Sequence, residues 1–335
     1  MTSPQNAIPE RMRAACYHRY GGPEVLQVED VDLTQPGTGE VLLRIEAAVV
    51  SATDAIMRRG RPWPARMAMG LIRPGKPILG TEFCGTVEAV GSKVERFIKG
   101  DRLVGASGDS FGAHAQFILQ KEDGVLAQIP PAVSPAEMLA ISEGALTALP
   151  FLRDGGSIRR GMQVLVIGAS GSVGTAAVQL AEHFGAVVTG VCSAGNAELV
   201  KSLGASHVID YRSEDFTKGS ERYDIIFDTV GSSSFPQARK VLKPGGVYLT
   251  TMLSLPILLQ MLFSSRSRGQ RAKILFAGMR EPKLRAKDLR YICDLAAKGE
   301  LRPVIDSRYP LNEIRRAHGH VDGGHKVGSV ILELH

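Results

Sequence analysis

Cysteine is scarce and scattered in this chain: Cys16, Cys84, Cys192 and Cys293 are the only four in 335 residues, and no two form a C-x-x-C pair. That spacing excludes a zinc knuckle and a disulfide framework. Long apolar runs are missing as well. The greasiest stretch, Leu253 to Phe263, covers about half a membrane span. The start, Met1 to Met12, is polar and lacks the apolar core of a secretion signal. No short repeat persists, which removes collagen-like and low-complexity readings. These absences together point to a reducing, cytoplasmic setting.

What is present is ordinary globular composition, 44% hydrophobic and 22% charged over 335 residues. That length suggests two domains, each able to bury its own core. The formal charge of +6 invites a nucleic-acid partner, but it is concentrated. Between Arg266 and Arg290 lie nine basic residues and two acidic ones, Glu281 and Asp288, and the rest of the chain is close to neutral. Only Phe276 and Tyr291 could offer bases a stacking surface there, so nucleic acid is disfavoured.

From Ala14 to about Ile129 the chain reads as short strands and tight turns, with Val41–Val50, Gly80–Val90 and Asp101–Val104 as strands. After Pro130-Pro131 the character changes. Ser134-Pro-Ala-Glu137 has the form of a helix start, with an N-cap, a proline at the first helical position and an acid at N3. Strands and helices then alternate: strands at 163–167, 186–191, 207–209, 225–228 and 247–251, helices at 174–184, 197–203 and 235–242. This alternation indicates a doubly wound parallel sheet. A helix over 284–297 and a strand over 327–334 close the chain.

The most informative stretch is Gln163-Val-Leu-Val-Ile-Gly168-Ala169-Ser170-Gly171-Ser172-Val173-Gly174. A buried strand runs into a glycine-rich turn and a helix begins at once. Small residues let backbone amides approach a pyrophosphate, the helix N-terminus adds positive dipole, and the last glycine allows close helix–strand packing. This predicts a dinucleotide site. At the tip of the second strand stands Ser193, where an NAD site would carry an acid for the ribose hydroxyls. No acid occurs between Ala186 and Ala197, which leaves room for a 2′-phosphate and favours NADPH, with NADH as the alternative.

Five stretches carry a wider resemblance: Tyr20-Gly-Gly-Pro-Glu-Val-Leu26, Gly80-Thr-Glu-Phe-Cys-Gly-Thr-Val87, Ser110-Phe-Gly-Ala-His-Ala-Gln116, the glycine turn, and Ser202-Leu-Gly-Ala-Ser-His-Val-Ile-Asp-Tyr211. In family order along the chain, they resemble the zinc-independent branch of the medium-chain dehydrogenase/reductase superfamily, the quinone oxidoreductase and zeta-crystallin-like proteins. The resemblance implies an α/β fold: a GroES-like β-barrel domain from residues 1–142 and 279–335, and a doubly wound Rossmann domain with a parallel sheet from 143–278. It places Thr147 facing the nicotinamide, Val230 and Gly231 under the same ring, and Tyr211 at the adenosine 2′-phosphate. A Lys or Arg common in the turn after the second strand is replaced here by Gly195 or Asn196.

The same comparison bears on zinc. Zinc-dependent relatives place a Cys where this chain has Ser51 and a Gly-His-Glu where it has Gly80-Thr81-Glu82, with a third ligand near Ser142-Glu143. Hydroxyls do not replace soft or imidazole ligands, so no zinc is expected. Without a Lewis acid, the expected chemistry is reduction of an electron-poor substrate, a quinone or the C=C bond of an α,β-unsaturated carbonyl. Ser51 could hydrogen-bond a carbonyl or a ribose, while Asp54 reads as a turn residue and Ile56 cannot donate a proton.

Two rival readings remain. Gly108-Asp-Ser110-Phe-Gly112 matches the G-x-S-x-G of a hydrolase, but the residues after it look extended rather than helical. The other rival is a cofactor-binding regulatory or membrane-surface protein of the same fold with little turnover. The greasy-then-basic segment 253–273 either lies on an anionic membrane or forms a flap leading into an edge strand, Lys273–Ala277, at a homodimer interface.

Overall fold

A computed structural model describes residues 8–265 and 269–334. Arg266 and Arg268 of the basic segment, and most of the Met1–Met12 stretch, lie outside the described residues. The chain divides into two compact units, one from residues 8–140, 281–297 and 305–334, the other from Ile141–Arg280 and Lys298–Val304. The short return of 298–304 to the second unit has a local cause. Gln179 accepts the Arg302 amide at 2.7 Å and donates to the Arg302 carbonyl at 3.2 Å.

In the first unit the long strand Glu40–Val49 organises a seven-stranded sheet. One edge pairs along its length with Glu82–Val90. The other edge is shared, Phe117–Lys121 taking the first half and Ser329–Glu333 the second. Burial along Glu40–Val49 is nearly continuous, since both faces are covered, and Leu43, Ile45, Phe83, Leu126 and Leu332 meet in its core. Arg11–Cys16 and Gln27–Asp32 pair as a separate two-stranded ribbon, bridged to the rest of the unit at Ala14–Ala115 and Cys16–Ile78.

The sequence reading missed a helix here. Ala52–Arg59, within the stretch that reads as strands and turns, is α-helical because Ser51 and Asp54 form a capping box. Gly60 then ends the helix at φ 60°, a left-handed conformation that glycine adopts without a Cβ clash. A second short helix, Pro64–Met69, follows.

The second unit is a six-stranded, all-parallel sheet in the order His207–Asp210, Val187–Cys192, Gln163–Ile167, Tyr223–Asp228, Leu242–Thr250, Arg271–Ile274. The chain starts in the middle, winds one way, then returns and winds the other. That reversal creates a topological switch point between Gln163–Ile167 and Tyr223–Asp228, where loops diverge at the carboxyl ends. Several boundaries differ from expectation, among them the strand expected at 247–251, which begins at Leu242. The helix expected at 235–242 ends at Ala238, because Leu242 already pairs with Tyr223. The outermost strand is Arg271–Ile274, two residues earlier than expected, and Ala277–Met279 is a 3-10 turn.

Candidate functional site

Every loop at the switch point is tied to its neighbours. The amides of Gly168 and Ala169 both donate to the Val191 carbonyl at 3.0 Å, joining the glycine turn to the end of the second strand. Gly168 has φ 78°, and a Cβ there would fall 2.6 Å from Val230 Cγ1, so the Thr229–Gly231 loop packs directly on the turn. The Thr229 hydroxyl donates to the Ile167 carbonyl at 2.9 Å. The Asn196 side chain donates to Ser170 Oγ at 3.1 Å, and the Asn196 amide donates to the Ser193 carbonyl at 2.9 Å. The Tyr211 amide reaches the Cys192 carbonyl at 3.2 Å. Gly168 to Gly174, Ser193, Asn196, Tyr211, Val230 and Gly231 thus converge on one end of one sheet.

The glycines of the turn have distinct duties. A Cβ on Gly174 would lie 2.0 Å from the Gly168 carbonyl oxygen, so this glycine is needed for the helix to approach the strand at all. Gly171 is different: its Cβ would meet nothing nearer than 3.6 Å. Gly171 is the N-cap of helix Ser172–His183, and no side chain caps that helix. A helix start with small residues, open space and no carboxylate offers an anion its amides and dipole. The residues present fit the pyrophosphate of a dinucleotide.

Thr147 enters through packing. Helix Pro135–Pro150 approaches the turn backbone to backbone, a Cβ on Gly144 falling 2.0 Å from the Ser172 carbonyl. Thr147 is half-buried one helical turn beyond Gly144, on the same side.

Beneath the Val230–Ser233 loop sits Asp228, fully buried. Its Oδ1 accepts from the amides of Val230 at 3.2 Å, Gly231 at 2.7 Å and Ser232 at 3.3 Å. Its Oδ2 accepts from the Ser233 amide at 2.8 Å and the Tyr248 hydroxyl at 2.9 Å. Burial, and then the Asp228 charge, push the Tyr248 hydroxyl's pKa upward, so it stays a donor. The sequence analysis gives Val230 and Gly231 a place under the nicotinamide and Asp228 no task.

A cavity of about 730 Å³ opens beside these loops, lined among others by Ile167, Val191, Tyr211, Arg212, Lys218 and Ser232. Arg212 and Lys218 are the basic residues of this lining, which also holds Glu214 and Asp215, and Lys218 Nζ lies 3.8 Å from Asp215 Oδ2. The clue in the sequence was Arg212 itself, adjacent to Tyr211.

Ser51 belongs to the other unit and is bound to its own helix. Its hydroxyl donates to Asp54 Oδ2 at 2.7 Å and accepts the Asp54 amide at 3.2 Å. Asp54, expected to be a turn residue, is fully buried and also accepts the Gly80 amide at 2.9 Å. The hydrolase reading fails on geometry. Ser110 ends a 3-10 turn, donates to the Ser107 carbonyl at 2.7 Å, and is followed by no helix. His114 is buried with Nε2 at 2.8 Å from the Val49 carbonyl. The thiols offer no nucleophile either: all four are buried, and burial raises Cys16 to about 11 and Cys293 to about 12. Among the described residues, no group of three His, Cys, Asp or Glu is placed to hold a metal ion.

Comparison with known proteins agrees with this architecture. Residues 37–131 match the alcohol dehydrogenase GroES-like domain, and residues 203–332 match a domain described as zinc-binding dehydrogenase. A chloroplastic quinone-oxidoreductase homolog of Spinacia oleracea is 33% identical, covering 96% of this chain and 98% of its own. The 2-methylene-furan-3-one reductase of Solanum lycopersicum is 31% identical over 99% of this chain and 81% of its own. The solved quinone oxidoreductase from Coxiella burnetii superposes with a TM-score of 0.86 at 26% identity, over 97% of this chain and 100% of its own. The chain belongs to the medium-chain dehydrogenase/reductase superfamily, in its quinone oxidoreductase-like branch.

Proposed function

We propose that the protein is an NADPH-dependent, metal-free reductase of quinones or of the C=C bond of α,β-unsaturated carbonyls, working as a homodimer in the cytoplasm. The observation that carries this reading is the uncapped helix start at Gly171, set at the switch point beside a cavity lined by Tyr211, Arg212 and Lys218. The amides of Ser172 to Gly174 would hold the pyrophosphate. Tyr211, Arg212 and Lys218 would favour a 2′-phosphate, and the half-buried Ser193 leaves space for it. NADH remains the weaker alternative. Thr147, Val230 and Gly231 would border the nicotinamide, with Asp228 fixing the loop that carries the last two. A nicotinamide bound there supplies a hydride for an electron-poor carbon.

The metal-free part of the proposal rests on donor chemistry. The Ser51 hydroxyl is committed to Asp54, and the Thr81 hydroxyl donates to Glu82. Neither position offers the sulfur or imidazole that catalytic zinc needs. Ser51 therefore acts by ordering helix Ala52–Arg59 rather than as an acid, and solvent supplies the proton that completes the reduction. The test is reduced-nicotinamide consumption across quinones, enals, enones and simple aldehydes, with and without a chelator. Turnover on quinones or enones that survives chelation supports the reading; activity that requires added zinc overturns its metal-free part.

One observation favours a second reading, a cofactor-binding or membrane-surface protein with little turnover. Helix Leu255–Ser265 turns Leu255, Leu258, Leu259 and Leu262 outward while Ile257 is buried. That stripe suits either a homodimer or a membrane surface. No helix among the described residues is long and apolar enough to cross a membrane.

A further inference from the structure

Helix Pro64–Met69 and the residues flanking it form an apolar surface. Trp63 is 62% exposed, Met67 69%, Leu71 60% and Ile72 91%. Four large apolar side chains within ten residues, turned to water, exceed the scatter of single exposed residues on a typical surface. The backbone beneath them is held in place. The Gly70 amide closes on the Arg66 carbonyl at 2.7 Å, and the Tyr20 hydroxyl donates to the Gly70 carbonyl at 2.5 Å. Arg66 lies over the Tyr20 ring, 4.6 Å from its centre.

The segment that carries this surface has charge of one sign, although Arg58 and Arg59 both meet Asp322. From Ala55 to Thr81 the sequence holds six basic residues and no acidic one. Arg58 is buried on Asp322, and Lys76 donates to the Asp109 carbonyl. Arg61 and Arg73, which bracket the apolar side chains, are exposed and form no ion pair among the described residues. Trp63 is the chain's single tryptophan, and an indole ring with an apolar body and one N–H suits the boundary between lipid and water.

We propose that the segment Arg61–Arg73 docks on an anionic lipid surface, with Trp63, Met67, Leu71 and Ile72 entering the headgroup boundary and Arg61 and Arg73 meeting acidic headgroups. A bilayer matches both features at once, an apolar layer under a negative plane. A second copy of the chain matches them poorly, because a self-complementary contact would bring the unpaired arginines against a surface of their own sign. The proposal is a surface contact, not a membrane span.

Because Trp63 is the only tryptophan, it reports directly. The full chain is mixed with vesicles of phosphatidylcholine alone, or with added phosphatidylglycerol, while tryptophan emission and co-sedimentation are followed. The expected result is a blue shift and retention on the anionic vesicles only, weakening as salt is raised. Ile72→Asp should abolish both while leaving the thermal melt unchanged, since Ile72 is 91% exposed. Removing two charges with Arg61→Gln and Arg73→Gln should lower partitioning ~25-fold, at about fivefold per cation. Absence of both signals overturns the proposal. So does retention without a blue shift, or retention unaffected by Ile72→Asp, either of which means that another surface binds. A blue shift that grows with protein concentration without vesicles assigns the surface to self-association. The assay involves no turnover, so its failure leaves the proposed reductase activity untouched.

Discussion

The Tyr248 hydroxyl donates to Asp228 Oδ2 at 2.9 Å, joining the fifth strand of the parallel sheet to the carboxylate that gathers the amides of Val230 to Ser233. Five donors on one buried carboxylate make it an acceptor with no tolerance for a replacement that donates. Asp228→Asn would turn an NH2 group toward amides that also donate. It is expected to cost about 2–3 kcal/mol in chemical denaturation and to weaken dinucleotide binding by loosening the loop. Tyr248→Phe removes one donor of five and should cost about 1 kcal/mol. Equal losses for the two variants would contradict this account.

Gly171→Asp separates stability from binding. The position has extended backbone and open space, so aspartate can cap helix Ser172–His183 and raise stability by a few tenths to about 1 kcal/mol. The same carboxylate would occupy the amides proposed to hold the pyrophosphate, and nucleotide affinity should fall at least ~10-fold. Gly174→Ala should do the reverse, costing about 2 kcal/mol or more because its Cβ meets the Gly168 carbonyl. Thermal melts with and without NADPH check both.

Arg212→Gln and Lys218→Gln address cofactor choice. Each should weaken NADPH about 10-fold, the worth of one charge-assisted contact, and leave NADH nearly unchanged. Equal weakening of the two cofactors would remove these residues from the 2′-phosphate site.

His318 gives the first unit an acid-sensitive term. It is fully buried, both ring nitrogens lack a hydrogen-bond partner among the described residues, and the His114 ring stands 5.6 Å away. Burial, then His114 and Arg58, hold its pKa well below the ordinary 6.5. The unfolded chain therefore takes a proton that the folded chain refuses. Stability should fall below about pH 6.5 by up to ~1.4 kcal/mol per pH unit from this group alone. His318→Leu should flatten that part of the profile and be neutral or stabilising at pH 7. An unchanged acid slope in the variant would exclude His318 as its source.

The parallel sheet was legible because its evidence is local. Gln163–Ile167 is a buried apolar run, the glycines follow at once, and strand Gln163–Ile167 falls where expected. Helix Ala52–Arg59 was not, because its polar Arg58 is buried rather than exposed, which inverts the apolar stripe that marks a helix. What pays for that burial is Asp322, 264 positions away along the chain, at 2.5 Å from Arg58. Asp228 escaped notice for a similar reason: its partners are backbone amides, which no residue pattern advertises. Arg212 and Lys218 meet the site through the fold, because the loop after strand His207–Asp210 lines the same cavity as Val191 and Ser232.

The central claim is hydride transfer to an electron-poor acceptor at the site built on the glycine turn. Its most direct test is a single-turnover reaction between NADPH deuterated at nicotinamide C4 and an enone, with the product examined by mass spectrometry. The account predicts loss of reduced-nicotinamide absorbance together with deuterium on the carbon β to the carbonyl, both reduced in Gly171→Asp at sub-saturating NADPH. Product without deuterium from either C4-labelled face, or undiminished transfer in Gly171→Asp, would contradict it.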